Sequence, residues 1–334
     1  MPFERDSNKI VIAGASSLLG AELKSLLKES RFAGADFRLV DEIVAAGTLT
    51  EAGGEPAVIQ PVEEDSFQGA RMVFFTGSAE FTRVNLAAAR QTGAKICDLS
   101  GELAGIQKSA AWFPKLDALL GREFPQDAEA YAIPSAAATS SSGLALALTK
   151  IGLQKLAVTC FQSASEAGRT GIEELESQTG QLLSFHGVGQ PVFDAQVAFN
   201  LLDRYGPASN QSLAAIRKRV RLETQACLGG KAAMPAIQVV HAPVFYGAVF
   251  SASAELTANV DVERIVIACE DAGFVTNAVG ETGPSNVSAA GEKTIQLANP
   301  VQDASQPSVW WFWGAADNIR LPAANAVKLA EMLA

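Results

Sequence analysis

The chain has 334 residues, and its 26 lysines and arginines against 36 aspartates and glutamates give a formal net charge of −10. An acidic chain repels phosphate backbones, so this charge argues against general nucleic-acid binding. Hydrophobic residues make up 48% of the chain and charged residues 19%, which is typical of a globular protein with a large core and not of a disordered one. The length predicts two domains.

The cysteines and histidines predict neither a disulfide framework nor a metal site. Four cysteines are scattered singly, with no CxxC pair: Cys97, Cys160, Cys227 and Cys269. This pattern excludes a zinc ribbon and favours a reducing compartment. The two histidines, His186 and His241, lie far apart in the sequence, so we expect no histidine-based metal site.

We expect neither a targeting segment nor a membrane span. Residues 1–9 are charged and lack the apolar stretch of a signal peptide, which predicts a cytoplasmic protein. The two longest uncharged runs, 130–149 and 232–254, are interrupted by proline, glycine or polar residues. Both runs are therefore expected to be buried in the protein and not in a bilayer.

The N-terminal part of the chain alternates short apolar runs with helical patterns. We predict strands over 9–13, 37–40, 72–76 and 94–99, and helices over 21–30 and 81–91. The first helix has leucines on one face and charged residues largely on the other. Strands that alternate with helices predict a mostly parallel, doubly wound sheet.

The pattern changes after about residue 150. We predict strands over 156–163, 237–240 and 244–254, helices over 172–183, 213–228 and 322–333, and a loop over 276–307. The last helix is expected to begin at Pro322, because proline is favoured in a first turn. This mixture predicts an α+β second domain.

A glycine-containing turn, Gly14–Gly20, joins the first strand to the first helix. A helix N-terminus offers N–H groups, and glycine lets the backbone approach a pyrophosphate closely. The middle glycine of the usual dinucleotide fingerprint is replaced by Ser17, whose Cβ narrows this space although its hydroxyl could donate to a phosphate. Asp41, after the second strand, could accept from a ribose hydroxyl and would repel a 2′-phosphate, which favours NAD over NADP. The alternative is a turn that binds no ligand.

Several segments together resemble the aspartate-semialdehyde dehydrogenases over nearly the whole chain. They are the Gly14–Gly20 turn, Phe161–Arg169 followed by Gly171–Leu175, Val197–Leu202, Pro243–Gly247 and Asp317–Arg320. The resemblance implies an α/β fold with a Rossmann-type dinucleotide-binding domain over 1–132, completed by a C-terminal helix over 317–334. It also implies an α+β dimerisation domain over 133–316, as in glyceraldehyde-3-phosphate dehydrogenase-like proteins. A homodimer paired through the second-domain sheets is therefore expected.

The resemblance also implies an oxidoreductase chemistry of amino-acid biosynthesis. A cysteine thiolate attacks aspartate semialdehyde, a histidine moves the proton, hydride passes to NADP, and phosphate cleaves the thioester. Cysteine is the nucleophile that needs least activation near neutral pH, and histidine titrates in the required range.

This sequence departs from the family pattern at the reacting positions. The nucleophile position holds Ala136, or else Ala138 or Thr139 if the following helix sets the alignment. The base position holds Ala248. A hydroxyl near Thr139 would need an adjacent base to act as a nucleophile, so the resemblance implies an impaired enzyme.

Other departures concern the groups that bind anions and substrate. Where the family has an arginine that binds the substrate, this chain has His241. The arginine that binds phosphate in the family is absent from the segment that contains Glu102. A glycine that lies close to the nicotinamide in the family is replaced by Glu166. Gln162, which orients the substrate in the family, is retained, and Arg320 is a second candidate substrate-binding residue.

The resemblance implies NADP or NAD as the cofactor, bound weakly or no longer bound, and no metal. The candidate cofactor-binding residues are Gly14, Ser16, Ser17, Leu18, Leu19, Gly20, Asp41, Gly77, Ser165 and Asn325. In the family, Asn325 corresponds to a residue near the carboxamide of the nicotinamide.

Three hypotheses about function follow. The first is a catalytically impaired member of the family, a pseudoenzyme similar to the usg-type paralogues. The second is an NAD(P)-dependent oxidoreductase that reduces another carbonyl compound by direct hydride transfer. The third is a dimeric scaffold without a ligand. No nucleic acid or membrane partner is expected, and any small-molecule ligand stays open.

Overall fold

The computed structural model describes residues 8–257, 260–278 and 280–334, which form two compact units. The first unit takes the described residues up to Pro114, together with Phe124–Ser135 and Pro322–Ala334. The second takes Lys115–Glu123 and the described part of Ala136–Leu321. The domain limits given above stay a prediction.

The helices and strands are, in chain order, β1 (Lys9–Ala13), α1 (Leu18–Lys28), β2 (Asp36–Asp41), β3 (Leu49–Ala52), β4 (Glu55–Val58), β5 (Gln60–Pro61), β6 (Met72–Phe75), α2 (Ala79–Gln91), β7 (Lys95–Asp98), β8 (Ser109–Ala111), α3 (Leu116–Leu120), β9 (Ala130–Ala132), α4 (Ala136–Thr149), β10 (Leu153–Gln162), α5 (Gly168–Leu183), α6 (Leu213–Leu228), β11 (Ala236–His241), β12 (Ala248–Leu256), α7 (Val262–Asp271), β13 (Phe274–Thr276), β14 (Ile295–Leu297), β15 (Val301–Gln302), β16 (Val309–Ala316) and α8 (Arg320–Leu333). Two short 3₁₀ turns cover Ile43–Ala45 and Ala164–Ala167.

The first unit contains a parallel sheet in the order β5-β2-β1-β6-β7-β9-β8. Its central strands are almost continuously apolar, as expected for strands buried on both faces, and all four residues of β6 are buried. The end of α8 packs into the same core through Leu329 and Ala330. The predicted doubly wound α/β architecture is confirmed.

Two helices of this unit begin earlier than the apolar spacing predicts, because serine side chains cap them. Ser17 accepts a hydrogen bond from the backbone N–H of Gly20, so α1 begins at Leu18. Ser78 accepts from the N–H of Phe81 in the same way and starts α2.

The second unit contains a mixed sheet in the order β11-β10-β12-β16-β14-β13, and β15 pairs with β16. Strand β10 is parallel to β11 and antiparallel to β12. Helices α4, α6 and α7 pack together beside this sheet. The residues of α4 from Ala136 to Leu148 are all buried, because alanine, serine and glycine allow neighbouring elements to approach closely. The expected α+β second domain is confirmed.

Some predicted elements differ from the structure. The segment 276–307 is not entirely loop, because it includes β14 and β15. The strand predicted over 244–254 begins only at Ala248, after Gly247 with its φ of +103°. Helix α8 begins at Arg320 and not at Pro322, because the Asp317 carboxylate accepts from the N–H groups of Ile319 and Arg320.

Within the described ranges, no helix is both long enough and apolar enough to cross a membrane. The same residues contain no group of three or more histidine, cysteine, aspartate or glutamate side chains placed to hold a metal ion.

Candidate functional site

In the turn after β1, two positions lie so close to neighbouring backbone atoms that only glycine fits there. Gly14 has a φ of +91°, and a Cβ there would lie 2.2 Å from the backbone nitrogen of Gly77. A Cβ on Gly20 would lie 2.6 Å from the carbonyl oxygen of Gly14. The turns after β1 and β6 therefore touch through their backbones, and the N-terminus of α1 begins at this point.

The Ser17 hydroxyl is used within the turn itself. It accepts from the N–H of Gly20 at 2.9 Å and donates to the carbonyl oxygen of Thr76 at 2.8 Å. The hydroxyl proton thus points to the protein backbone and is not available to a phosphate oxygen of a ligand. Leu18 and Leu19 form the first helical turn, where N–H groups lack acceptors within the helix.

The Asp41 carboxylate is fixed against the same turn. One oxygen accepts from the N–H of Ser16 at 2.8 Å and the other from the N–H of Glu42 at 2.8 Å, and the residue is 7% exposed. Each carboxylate oxygen keeps a lone pair that could accept from a hydroxyl. A phosphate in this position would meet a fixed negative charge.

Asn325, in the part of α8 that belongs to the first unit, has a buried amide nitrogen with no hydrogen-bond partner among the described residues. The residue is only 4% exposed. A buried donor without an acceptor is costly, and an amide oxygen of a ligand would satisfy it. The glycine cradle, the free lone pairs of Asp41 and this donor are compatible with a nicotinamide dinucleotide that lacks a 2′-phosphate.

Three candidate residues of the second unit lie side by side on neighbouring strands. Gln162 pairs with His241 across β10 and β11, and with Ala248 across β10 and β12. Gln162 is 4% exposed. The structure therefore brings together the positions that the resemblance gives to substrate orientation, substrate binding and the base, although the base position carries only a methyl group.

His241 is fully buried and lies in an aromatic cluster with Phe193 and Tyr205. Its Nδ1 lies 3.1 Å from the hydroxyl of Tyr205. Burial lowers the pKa of His241 to about 4, so the imidazole is neutral at pH 7. A neutral ring cannot supply the charge-assisted contact that an arginine makes with a carboxylate.

The start of α4 offers no prepared nucleophile. Ala136, Ala138 and Thr139 are all buried. The hydroxyls of Ser141 and Ser142 donate to carbonyl oxygens one turn earlier in the same helix.

The four cysteine thiols are free and buried. Burial raises the pKa of Cys160, Cys227 and Cys269 to about 12, and it also raises the pKa of Cys97. A thiol with such a pKa is almost entirely protonated near neutral pH and is a poor nucleophile.

In the segment where the resemblance places a phosphate-binding arginine, Glu102 forms an ion pair within the first unit. Both of its carboxylate oxygens bind Arg83, at 2.8 Å from Nε and 2.9 Å from Nη2. This acid therefore already has a cationic partner within the first unit.

A polar cluster joins Ser165, Glu166 and Asn318 in the second unit. The amide nitrogen of Asn318 donates to Ser165 Oγ at 3.0 Å and to Glu166 Oε1 at 3.0 Å. Arg320, by contrast, contributes its backbone N–H to the Asp317 cap. Sequence reasoning gave Asn318 no role, although it lies in a segment that carried the resemblance, because its contacts come from residues about 150 positions away.

Comparisons with known proteins agree with this geometry. Residues 144–321 match the family model described as semialdehyde dehydrogenase, dimerisation domain. The chain is 28% identical over 330 residues to a USG-1 protein homolog of Pseudomonas aeruginosa, with 97% of each chain covered. It is 27% identical over 330 residues to aspartate-semialdehyde dehydrogenase 2 of Vibrio cholerae, again with 97% of each covered.

Solved structures give the same result. A probable aspartate-semialdehyde dehydrogenase from Pseudomonas aeruginosa superposes with a TM-score of 0.85 at 27% identity, and 98% of each chain is covered. Aspartate semialdehyde dehydrogenase II from Vibrio cholerae, complexed with ASA, superposes with a TM-score of 0.84 at 25% identity and the same coverage. With the family model matched over most of its second unit, the chain belongs to the semialdehyde dehydrogenase family, among the aspartate-semialdehyde dehydrogenases and USG-1 homologues.

Proposed function

We propose that this protein is a homodimeric, nucleotide-binding member of the family that does not carry out the phosphorylating oxidation of aspartate semialdehyde. The observation that carries the proposal is the loss of both reacting groups. Every thiol is buried with a raised pKa, and the position that the resemblance gives to the base holds Ala248. Without a thiolate and a base, neither the covalent intermediate nor its proton transfer is accessible.

The groups that would hold an anionic substrate are also changed, which supports the same proposal. His241 is neutral at pH 7 and is enclosed by aromatic rings. Glu102 binds Arg83 in the segment where the family has a phosphate-binding arginine. A substrate carboxylate and an inorganic phosphate thus lose their cationic partners, and we expect neither to bind strongly.

The proposed cofactor is NAD in preference to NADP. The N-terminus of α1 begins at this turn, where backbone N–H groups could donate to a pyrophosphate. Asn325 offers a buried amide donor without a partner in the described chain. The fixed carboxylate of Asp41 opposes a 2′-phosphate. The bound cofactor would supply a hydride acceptor or donor, while these residues would only position it.

The proposed homodimer uses the face of the second-unit sheet that carries Trp311 and Trp313. These side chains are 47% and 41% exposed. Two exposed indoles on one strand form an apolar surface that a second copy would bury. The matched dimerisation-domain model supports this role.

The test is spectrophotometric. Purified protein, aspartate semialdehyde, phosphate and NAD or NADP are mixed, and the reduced nicotinamide is followed by absorbance. We expect no turnover in the wild type or in the single variants Ala136→Cys and Ala248→His, because a nucleophile and its base act as a unit. The double variant Ala136→Cys/Ala248→His has both a nucleophile and a base, so any recovery of turnover is expected only in this variant.

Two outcomes would contradict the proposal in different ways. Robust wild-type turnover that survives Cys97→Ala and Cys160→Ala would favour a hydroxyl nucleophile in α4. Turnover that disappears with either cysteine variant would show that the nucleophile position was placed wrongly.

The other two hypotheses are separated by binding. A scaffold without a ligand predicts no dinucleotide binding in calorimetry. An oxidoreductase that acts on a different carbonyl compound predicts binding together with turnover of that compound.

A further inference from the structure

A cavity of about 270 Å³ lies in the second unit, where the loop before α6 and the first turns of α6 meet strand β11. All of its lining residues belong to this unit. The apolar side chains of Leu213 and Val239 line it and are only 3% and 2% exposed. Tyr205 also lines the cavity, and its hydroxyl lies 3.1 Å from His241 Nδ1, which fixes the ring. The cavity therefore offers a fixed apolar surface to a compact organic group.

The loop that forms one side of the cavity is anchored to the segment before it. The N–H of Gly206 donates to the carbonyl oxygen of Phe193 at 3.1 Å, and the N–H of Ala208 donates to Asp194 Oδ2 at 2.8 Å. A Cβ on Gly206 would lie 1.9 Å from the carbonyl oxygen of Asp194. The side chain of Ser209 donates to the carbonyl oxygen of Val192 at 2.9 Å. The cavity is thus formed before any ligand binds, so little ordering entropy opposes binding.

Arg217 places a positive charge at this cavity. Its Nη1 donates to Gln238 Oε1 at 2.8 Å, which orients the guanidinium but leaves its charge uncompensated. Among the described residues, no carboxylate forms an ion pair with Arg217. Arg204, the other cation of the lining, is bound to Asp203 at 2.7 Å. The charge of Arg217 is therefore the one that an anion could neutralise.

A second cavity, of about 260 Å³, adjoins the first along α6 and shares Ala214 and Arg217 with it. Lys218 and Arg221 line it, and both are exposed. Arg217 and Arg221 stand four residues apart on one helix, where like charges repel each other. This cluster occurs in a chain whose net charge is −10. A bound anion with more than one negative charge would relieve the repulsion.

We propose that the cavity beside Arg217 is a binding site for a small organic phosphate. The phosphate group contacts Arg217, with Lys218 and Arg221 close by, and the carbon part lies against Leu213 and Val239. An arginine fork matches the geometry of phosphate oxygens. A phosphate monoester carries a charge of about −2 at neutral pH, whereas a carboxylate carries −1, so the cluster of cations favours the phosphate.

This site is separate from the proposed cofactor site. The glycine turn Gly14–Gly20 belongs to the first unit, and no residue of that unit lines the cavity. A protein that fails to bind NAD could still bind an organic phosphate beside Arg217, so the two proposals are tested independently.

The first measurement compares three probes by calorimetry: phenyl phosphate, inorganic phosphate and benzoate. We expect phenyl phosphate to bind about tenfold more tightly than inorganic phosphate, because its ring is buried in the cavity. Benzoate has the same ring but a single negative charge, and we expect it to bind about tenfold more weakly than phenyl phosphate.

Variants of one side chain test the assignment to Arg217. Arg217→Gln should weaken the binding of phenyl phosphate about tenfold, and Arg217→Lys, which keeps the charge but not the fork, should weaken it less. Arg264→Gln is the matched control, because Arg264 is an exposed arginine on α7 that lines neither cavity. This control should bind as the wild type does. Circular dichroism would check that each variant is folded.

The second measurement locates the probe in the wild type, so it does not depend on any variant. Amide chemical shifts should change on addition of phenyl phosphate at Ser209–Ala214 and at Val239. Shift changes confined to the turn Gly14–Gly20 would overturn the proposal. A dissociation constant above about 10 mM, binding that survives Arg217→Gln, or benzoate that binds as tightly as phenyl phosphate would overturn it as well.

Discussion

His241 shows how burial determines the chemistry of one residue. The resemblance gives His241 a substrate-binding position, where a histidine suggests a cation or a base. This ring, however, is enclosed by Phe193 and Tyr205 and is neutral at pH 7. Its polar contact is with the Tyr205 hydroxyl at 3.1 Å. Protonation of this buried ring is unfavourable in the folded state, so it should lower the stability of the protein.

We expect His241 to make the protein sensitive to acid. The folded state has a His241 pKa of about 4, below the ordinary value of 6.5, so the unfolded state binds more protons between these values. The free energy of unfolding should therefore fall as the pH drops from 6.5 to 4, by up to about 3 kcal/mol, and then level off. Chemical denaturation at several pH values gives the free energy of unfolding. In His241→Asn this free energy should fall less steeply between pH 6.5 and pH 4 than in the wild type.

His186 provides the matched control because it is the second of the two histidines and is exposed. The His186→Asn variant should keep the wild-type dependence of stability on pH. An unchanged dependence in His241→Asn would show that the buried imidazole is not responsible.

We expect Asp41 to influence the choice between NAD and NADP. Its carboxylate accepts from the N–H groups of Ser16 and Glu42, which fixes the negative charge beside the turn. Asp41→Ala should raise the affinity for NADP relative to NAD about tenfold, equivalent to about 1.4 kcal/mol. Calorimetry with both dinucleotides measures this ratio.

Asp36→Ala is the control, since Asp36 is an exposed acid at the opposite end of the same strand. It should leave the ratio unchanged. Equal binding of NAD and NADP by the wild type would refute the role given to Asp41.

At the scale of elements, one buried glutamine on α5 fixes the segment that follows this helix. Gln178 is fully buried. Its amide nitrogen donates to the carbonyl oxygens of Gly189 and Ala195, and its oxygen accepts from the N–H groups of Val197 and Ala198. A single buried side chain thus binds four backbone groups of an irregular segment that has no strand ladder of its own.

Gln178→Ala should leave these buried backbone groups without partners. We expect the free energy of unfolding to fall by roughly 2 to 4 kcal/mol. Hydrogen exchange should accelerate most at the amides of Val197 and Ala198. Gln181→Ala, which removes one hydrogen bond to Gly189, should have a much smaller effect on both measurements.

Periodicity made β1, β2, β6, β7, α1 and α2 of the first unit predictable, but not its short strands β3, β4, β5, β8 and β9. Contacts distant in sequence determined the site. The apolar run before Gly14 and the leucine spacing after it suffice to predict β1 and α1. The direction of the Ser17 hydroxyl depends on Thr76. The pKa of Glu166 is raised by its burial and lowered by Arg219 and Asn318. No sequence pattern contains those neighbours.

Two of the second-unit elements that the sequence did not predict, β16 and α7, were missed for identifiable physical reasons. The segment 309–316 is apolar almost throughout and carries three tryptophans, so the alternation that distinguishes strands is hidden although the burial of β16 alternates. Helix α7 has only ten residues, and it buries Ile265 and Cys269 while Asp261 caps its start. Short elements of this kind gain their stability from packing more than from their own sequence.

At the scale of the whole molecule, the sheet of the second unit presents a prepared apolar surface. The indole N–H of Trp311 donates to Asp303 Oδ2 at 2.9 Å, and that of Trp313 donates to the carbonyl oxygen of Pro284 at 2.8 Å. The rings of Phe161 and Trp313 lie 5.9 Å apart. Both indole N–H groups already have hydrogen-bond acceptors, which fixes the orientation of the two rings. A partner would therefore contact fixed apolar faces, and association would cost little side-chain conformational entropy.

The final prediction is that these indoles hold two copies together. Light scattering at micromolar concentration should give twice the chain mass for the wild type and the mass of one chain for the double variant Trp311→Ser/Trp313→Ser, because large aromatic side chains dominate the energy of such interfaces. Ile267→Ser is the control, since Ile267 is 59% exposed on α7, and this variant should stay a dimer. Circular dichroism would check that the double variant is folded. A monomeric wild type, or a double variant that stays dimeric, would rule out this sheet face as the interface.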